Sequence, residues 1–420
     1  MSYLSKINRE NNPVIESKRN KLRYAAWIKL PIPYLTFLPG LFVSRLGDSL
    51  YSFAVPWISY QLTHSSIVLS SMFAVSVLPV VLFGSIVGVI VDVFDRRKLM
   101  LATDAVRAVL VALVPLLEQV GQLHLWHLYV IAFLLAVLSL MFDVANIASV
   151  PALAGKELTR ANASSQFINQ LTDMIGPAIA GVVVAALGGY RALWLDAISF
   201  GATWMAVYRL PYLGGGQSSF KLSRIFADMK DGLRWLVKDR LNLALSLQAM
   251  VGNFGYSAAF SVLMYYLLSE LHLNAHQSSI NYSIIGFGGL LGSLLIVPLE
   301  KVFKKGVLIS VLLTIGAIGF LIPTYNHFWL APGIAFAIVG ICNVGWNTLV
   351  QSMRQMTVPP EMLGRVLGFS RVISRLAMPI GAAIAGLLTV NSSPVIIFVI
   401  AAVAKLVEVV IAVLSPIRRM

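Results

Sequence analysis

The feature that most constrains this chain is a succession of apolar runs, each of roughly 18–25 residues and almost free of charge, along nearly its whole length. Such a run crosses a hydrocarbon core of about 30 Å as a helix. Inside that core each backbone polar group must be paired within its own segment. The runs are continuous rather than alternating, which excludes a β-barrel. Composition agrees, with 58% of residues apolar and 12% charged, about half the charged share of a soluble domain. The sequence therefore predicts an all-α membrane protein with twelve spans. They fall at about 35–60, 67–91, 99–118, 125–149, 164–187, 191–210, 241–268, 277–299, 306–323, 328–350, 365–389 and 394–414.

Charge then sets the topology. One set of loops carries Lys6, Arg9, Lys18, Arg19, Lys21, Arg23 and Lys29, then Arg96, Arg97 and Lys98, Lys156 and Arg160, and Lys221 to Arg240. It continues with Lys301, Lys304, Lys305, Arg354, Arg418 and Arg419, whereas the opposite loops hold only Arg191. Basic loops face the cytoplasm, so both termini are expected there, in a multi-pass protein of the cell (inner or plasma) membrane. The net charge of +14 is thereby a matter of orientation, and no nucleic-acid partner is expected. Residues 1–33 form a basic cytoplasmic segment without the pattern of a cleavable signal peptide. The single Cys342 allows no intramolecular disulfide and no thiolate cluster. His124 and His127 lack a third ligand nearby, and no Gly-rich loop ends in a Lys-Ser/Thr pair. No metal site, cofactor, ATP-driven step or enzymatic activity is expected.

A polar stretch at about 211–240 divides the chain into six-span halves, 34–210 and 241–415, with a short tail at 416–420. Within it Leu222, Ile225, Phe226, Met229 and Leu236 recur at helical spacing among basic residues. They read either as an amphipathic helix at the membrane interface or as a solvated linker helix. The halves repeat one another. Arg160–Gly181 and Arg365–Gly386, offset by 205, share ten of 22 positions, including the first Arg and both glycines. Asp92–Arg97 and Glu300–Lys305 echo each other more weakly. Two homologous six-helix bundles are the design of a rocking secondary transporter.

The stretch Gly88-Val-Ile-Val-Asp92 followed by Asp95-Arg96-Arg97-Lys98 resembles the loop signature of the major facilitator superfamily. Ser44-Arg-Leu-Gly-Asp48, Ala54-Val-Pro-Trp57 and Leu62-Thr63 are similar to the first helix of its macrolide-efflux and enterobactin-exporter-like branch. Phe142-Asp143, Pro151-Ala-Leu153, Ile175-Gly-Pro177, Asp196–Phe200, Val358-Pro359 and Gly364-Arg365 extend that resemblance from about residue 40 to 390. It implies the major facilitator fold, a drug:proton antiporter type of activity, and a central cavity walled by spans one, four, seven and ten. Two positions depart from the pattern. Val93 stands where the loop usually has Arg, and the fourth span lacks the embedded Arg of many drug/proton antiporters.

The candidate residues follow. Asp92 closes the second span, where a carboxylate can accept from unpaired N–H groups at another helix's N-terminus. The resemblance implies that this partner is the eleventh span, which starts near Gly364 and Arg365. Gly88, Asp92, Asp95, Arg96, Arg97, Gly364 and Arg365 would then form a gate that latches one face. Ionisable groups inside spans are costly and mark pathways. Asp48, Asp143 and Asp173 are the candidates for proton or substrate coupling, in that order, since burial raises a carboxyl pKa towards neutrality. Asp48 is alternatively a fixed ion pair with Arg45, three residues before it. Asp104 and Arg107 read as a structural pair. Asp196 completes five buried acids in the first half, against Glu408 near Lys405 in the second, where Asn253 matches Asp48. The cavity is expected to be lined by Tyr51, Trp57, Asn146, Asn253, Tyr256, Tyr265, Asn343, Trp346 and Asn347. Such a lining suits an amphipathic organic solute, cations included. Only Arg45, Arg371 and Arg375 are candidate bases for its surface, which suits a phosphate or dicarboxylate poorly. The expected activity is export of small amphipathic compounds by a monomer, in exchange for protons. A dedicated exporter of one metabolite, siderophore or lipid is the alternative, and a ferroportin-like metal exporter a more distant one.

Overall fold

The computed structural model describes residues 30–214, 222–325 and 328–419. The seven basic residues from Lys6 to Lys29, together with Gly215, Gly216 and Lys221, lie outside them. The first half consists of α1 (Ile32–Thr63), α2 (Ser66–Val93), α3 (Arg96–Gln119), α4 (Leu125–Ala154), α5 (Leu158–Leu187) and α6 (Gly189–Tyr208). The linker helix α7 (Leu222–Lys238) follows. The second half is α8 (Arg240–Tyr265), α9 (Ala275–Val302), α10 (Lys305–Tyr325), α11 (Ala331–Thr357), α12 (Pro360–Leu388) and α13 (Val395–Leu414). No strand occurs among the described residues.

Leaving aside the linker helix α7, nine of the twelve remaining helices among the described residues are long and apolar enough to cross a membrane by length and composition. The other three, α1, α6 and α8, have their apolar runs interrupted by Arg45 and Asp48, by Arg191 and Asp196, and by Asn242, Gln248 and Asn253. Packing among the nine brings these three into the same bundles. Val109, Ile147, Ile198, Leu294, Ile318 and Leu387 are all exposed, so the outside of the bundle carries large apolar side chains from both halves. A water-soluble protein does not present such a surface; a lipid-embedded one must.

The two halves pack alike. In the first, α1 lies against α5 and α6, α2 against α4, and α3 against α4 and α6. In the second, α8 lies against α12 and α13, α9 against α11, and α10 against α11 and α13. The repeated glycines explain why. A Cβ on Gly176 of α5 would sit 2.2 Å from Ser49 Oγ of α1, and one on Gly381 of α12 would sit 2.4 Å from Phe254 O of α8. Ser49 and Phe254 are themselves separated by the repeat offset, so the same contact is made twice.

The halves meet through α5 against α9 and α12 against α2. A Cβ on Gly181 would lie 1.8 Å from Ser279 Oγ, and one on Gly386 would lie 2.9 Å from Ser70 Cβ. Both crossings fall on the face opposite the linker helix, called here the far face; the linker side is the basic face. The hydrophobic cluster at the far face mixes both halves, joining Leu50, Phe53 and Val184 to Met264, Leu268 and Ala275. The clusters at the basic face, around Tyr34 and Phe142 and around Leu245 and Leu349, each draw on one half alone. The halves thus converge at the far face and separate towards the basic one.

Two local features position the basic face. Asp95 caps α3 by accepting from Lys98 N at 3.2 Å, satisfying one of the unpaired donors of the first turn. The C-terminal part of the linker helix packs on the second half. Leu236 is fully buried against Val358 and Val366, with Trp235, Met362 and Phe369 packed around them. Gly232 lets the two backbones approach: a Cβ there would meet Arg365 O at 2.6 Å. Of the apolar stripe expected for this segment, Leu236 thus packs on the start of α12, while the side chains of Leu222, Ile225, Phe226 and Met229 lie outside the described ones.

Candidate functional site

Between the halves lies a cavity of about 1060 Å³, at the upper end of small-molecule pockets. Helical spacing builds its walls. On α8 the lining residues Ala249, Gly252, Asn253, Tyr256 and Phe260 follow one face, and on α12 Leu367, Arg371, Ser374, Arg375 and Met378 do the same. Asn253 Nδ2 donates to Ser374 O at 3.0 Å, and Ser257 Oγ to Met378 O at 2.9 Å, fixing α8 on α12. Pro56 and Pro177 supply part of the opposite wall.

At the far end aromatic rings from both halves close the cavity. Phe53 stands edge-on to Tyr282 at 5.9 Å, Phe73 meets Phe260 at 5.7 Å, and Tyr60 meets Tyr265 at 6.1 Å. Phe260 is also 5.7 Å from Tyr282 and stacks on Tyr256 at 5.6 Å. At the basic end the lining extends to Gln351, Arg354 and Leu367.

Six of the nine expected lining residues stand on the wall: Tyr51, Asn253, Tyr256, Asn343, Trp346 and Asn347. Three do not. Tyr265 belongs to the far-face seal through Tyr60. Trp57 packs in the same cluster, its ring edge 3.6 Å from where a Cβ on Gly189 of α6 would be. Asn146 is buried within the first half, at 8% exposure. For each, the helix is the right one but the residue lies off its cavity-facing stripe.

The acids of the first half are not independent. Asp173 stands on the cavity wall. Arg45 of α1 reaches Asp143 of α4 at 2.5 Å and Asp48 at 3.5 Å. Arg107 of α3 reaches Asp48 at 3.9 Å and contacts Asp104 more closely. Its guanidinium lies 4.6 Å from the Phe142 ring and 4.4 Å from the Phe200 ring, held between two aromatic faces. Asp48 is thus neither a lone carboxylate nor tied to Arg45 alone. It joins two arginines in a chain running Asp143, Arg45, Asp48, Arg107, Asp104. Asp104 and Arg107 form the expected pair, and Arg107 also joins it to this network through Asp48. Arg45 and Arg107 thus set their guanidinium groups against α4, at Asp143 and at the Phe142 ring. Asp48 and Asp143 stay 32% and 40% exposed while Arg107 is 2% exposed, so the outer end of the chain is the part open to exchange. Asp196 lies fully buried beside Gly47 and Ser199; its Oδ2 has no hydrogen-bond partner among the described residues.

The loop signature does more than orient the chain. Arg96 donates to Ala148 O at 2.8 Å and to Leu213 O at 3.4 Å, and pairs with Asp92 at 3.4 Å. Arg97 donates to Val207 O and Tyr208 O. The start of α3 is thereby stitched to α4 and to the end of α6. Gly88 lies on α2 with open space beside it. Arg365 lies 3.4 Å from Asp231 of the linker helix, and Gly364 precedes it in the first turns of α12.

Sequence reasoning did not place three charged residues of the second half on the cavity wall. Arg354 counts as a loop charge in the sequence, yet α11 continues to Thr357 and carries it inward. It is 7% exposed, lines the cavity, and donates to Ser370 Oγ at 2.7 Å and Ser246 Oγ at 3.1 Å. Lys405 and Glu408 of α13 also reach the wall, paired at 3.0 Å, with Lys405 donating to Asn343 Oδ1 at 3.0 Å. Among the described residues the basic ones at the cavity are therefore Arg354, Arg371, Arg375 and Lys405, while Arg45 is bound to acids behind α1. The sequence signal was the polar spacing on α11: Asn343, Asn347 and Arg354 share one face.

Two pseudo-symmetric six-helix halves around a central cavity sealed at one face define a secondary transporter. The sequence pattern of the transmembrane secretion effector family matches residues 39–420, and the chain belongs to that family, within the major facilitator superfamily. Among curated relatives, it is 25% identical to the multidrug efflux pump Tap of Mycobacterium tuberculosis over 371 residues, covering 85% of this chain and 87% of that one. It is 24% identical to macrolide efflux protein A of Streptococcus pyogenes over 368 residues, covering 86% and 89%. Solved structures share the fold. The nucleoside transporter NupG superposes with a TM-score of 0.70 at 11% identity, over 91% of this chain and 98% of that chain. A bacterial homologue of the iron transporter ferroportin in its inward-facing state gives 0.66 at 16% identity, over 91% and 98%.

Proposed function

We propose that this protein exports small amphipathic organic compounds by alternating access, driven by protons entering in exchange. The observation that carries the reading is the cavity of about 1060 Å³ between the halves, sealed at the far face by Phe53, Phe73, Phe260 and Tyr282. With the basic face cytoplasmic, as the distribution of Lys and Arg supports, the cavity accepts solute from the cell or inner leaflet. Rocking about the α5–α9 and α2–α12 contacts then opens the aromatic seal outward. The efflux activities in the names of the relatives favour that direction.

Proton coupling is assigned to the Asp143–Arg45–Asp48–Arg107 chain. Protonating Asp143 weakens the tie that holds the Arg45 guanidinium between α1 and α4, protonating Asp48 weakens its ties to Arg45 and Arg107, and either changes the charge that α1 presents beside the cavity. Asp173, on the wall itself, is assigned to the substrate. Asp92, Arg96 and the start of α12 form the gate at the basic face. The transporter works as a monomer. The test is dye uptake into inside-out membrane vesicles energised by respiration, with and without a protonophore. The proposal expects protonophore-sensitive uptake, abolished when Asp48→Asn and Asp143→Asn are combined. Uptake that persists in the double variant with its pH dependence intact refutes the coupling assignment.

A further inference from the structure

A charge inside a membrane protein is ordinarily matched by a counter-charge. In the first half the rule holds, since Arg45 has Asp48 and Asp143, and Arg107 has Asp104 and Asp48. In the second half Lys405 has Glu408. Arg354, Arg371 and Arg375 break it. Among the described residues no carboxylate is in ion-pair contact with any of the three. All three line one wall of the cavity. Arg354 is 7% exposed; its Nη2 is satisfied only by two serine hydroxyls, and its buried Nε has no partner among the described residues. Arg371 and Arg375 stand one turn apart on α12 with their side chains exposed to the cavity. Among the described residues, and apart from Glu408, held by Lys405, the acid of the cavity lining is Asp173, and it belongs to the opposite half.

We infer that this wall is an anion subsite: it receives the carboxylate, sulfonate or phosphate group of an amphipathic substrate. The inference rests on the transport reading above and names the substrate class of the same cavity. Guanidinium forks match such oxyanions with paired, charge-assisted hydrogen bonds. Arg371 and Arg375 supply the forks, and Arg354 adds fixed positive charge behind them. The neighbouring Tyr256 and Trp346 rings take the apolar body. The wall also works against the opposite sign, since an uncompensated cationic surface in a low-dielectric cavity repels lipophilic cations. The cation-accepting cavity suggested by its aromatic and amide content is thereby narrowed to solutes that carry an anion, zwitterions included.

The experiment measures binding and transport separately, on the purified full chain in lipid nanodiscs and on the same chain in inside-out vesicles. The probes are two anions, fluorescein and taurocholate, and two cations, rhodamine 123 and tetraphenylphosphonium. The expected result is anion binding that weakens with salt, and a ratio of anion to cation affinity that falls at least about tenfold per guanidinium in Arg371→Gln and Arg375→Gln. Arg371→Lys, which keeps the charge but not the fork, recovers part of that ratio. The thermal unfolding midpoint of each variant checks that it is folded. The inference is overturned if neither anion binds, or if the variant combining Arg371→Gln with Arg375→Gln binds them with the wild-type ratio. Anion binding lost in the variants but without vesicle uptake would support the subsite while refuting the transport reading. Cation uptake without anion binding would do the reverse.

Discussion

The seal at the far face rests on a contact so close that one methyl group should open it. Gly181 of α5 lies against α9, where a Cβ would come within 1.8 Å of Ser279 Oγ, 2.0 Å of Ser279 Cβ and 3.1 Å of Ala275 O. The hydroxyl can rotate away, but the Ser279 Cβ cannot, so Gly181→Ala must push the two helices apart. Overpacking of this kind costs about 1–3 kcal/mol. Only the state with a closed far face bears that cost, so the equilibrium moves towards the opposite state by about 5- to 150-fold. The assay is the rate at which a membrane-impermeant maleimide labels Phe53→Cys from the far side. Phe53 is 3% exposed at the seal, and the background lacks Cys342, the chain's single thiol. Labelling should accelerate in Gly181→Ala and return towards the wild-type rate when Ser279→Gly is added, because the second change removes the clashing Cβ. An unchanged rate in Gly181→Ala, or no rescue by Ser279→Gly, would refute the argument that this crossing holds the far face shut.

Further expectations concern the network and the linker. Arg107→Gln leaves Asp104, fully buried, without its cation and should cost about 3–5 kcal/mol. Arg107→Lys keeps the charge but loses the stacking on Phe142 and Phe200, and should cost about 1–2 kcal/mol; thermal unfolding in one detergent ranks the two. Leu236→Ala should detach α7 from α12 at a cost of about 2–5 kcal/mol, read as faster proteolysis within the linker helix. Asp231→Asn removes a half-exposed pair at 3.4 Å and should change that proteolysis rate little, by about 1 kcal/mol or less. The reverse order would mean that charge, not apolar packing, docks the linker.

How much of this was legible in the sequence depends on what each feature needs. Helix number and the two-bundle design were legible because crossing lipid leaves the backbone no other choice. The repeat went further than its apolar letters: Gly176 and Gly181 with Gly381 and Gly386 turn out to be four places of close helix approach, within and between the halves. Asp48, Arg45 and Asp143 were legible as ionisable residues inside spans. Their connectivity was not, because Arg107 joins them from α3 across a distance that no spacing rule encodes. Arg354 was misread for a related reason: a basic residue near a span's end looks like a loop charge until the helix is seen to carry it inward. Trp57, Asn146 and Tyr265 show the limit of assigning a cavity by helix, since the facing stripe depends on how each helix is rotated. The linker's apolar stripe was visible, but its partner on α12 is far along the chain, in the other half's fifth helix.

The central claim is that the two halves rock about the cavity, one face closing as the other opens. The most direct test is a pair of spin-label distances on the same two helices, in a background lacking Cys342. One pair, Leu187→Cys and His276→Cys, reports the far face; the other, Asn162→Cys and Val302→Cys, reports the basic face. All four side chains are exposed. Compared at neutral and acidic pH, with and without Gly181→Ala, the account predicts a second population in which the far-face distance lengthens and the basic-face distance shortens together. Distances that stay single and fixed, or that change at one face alone, would contradict it.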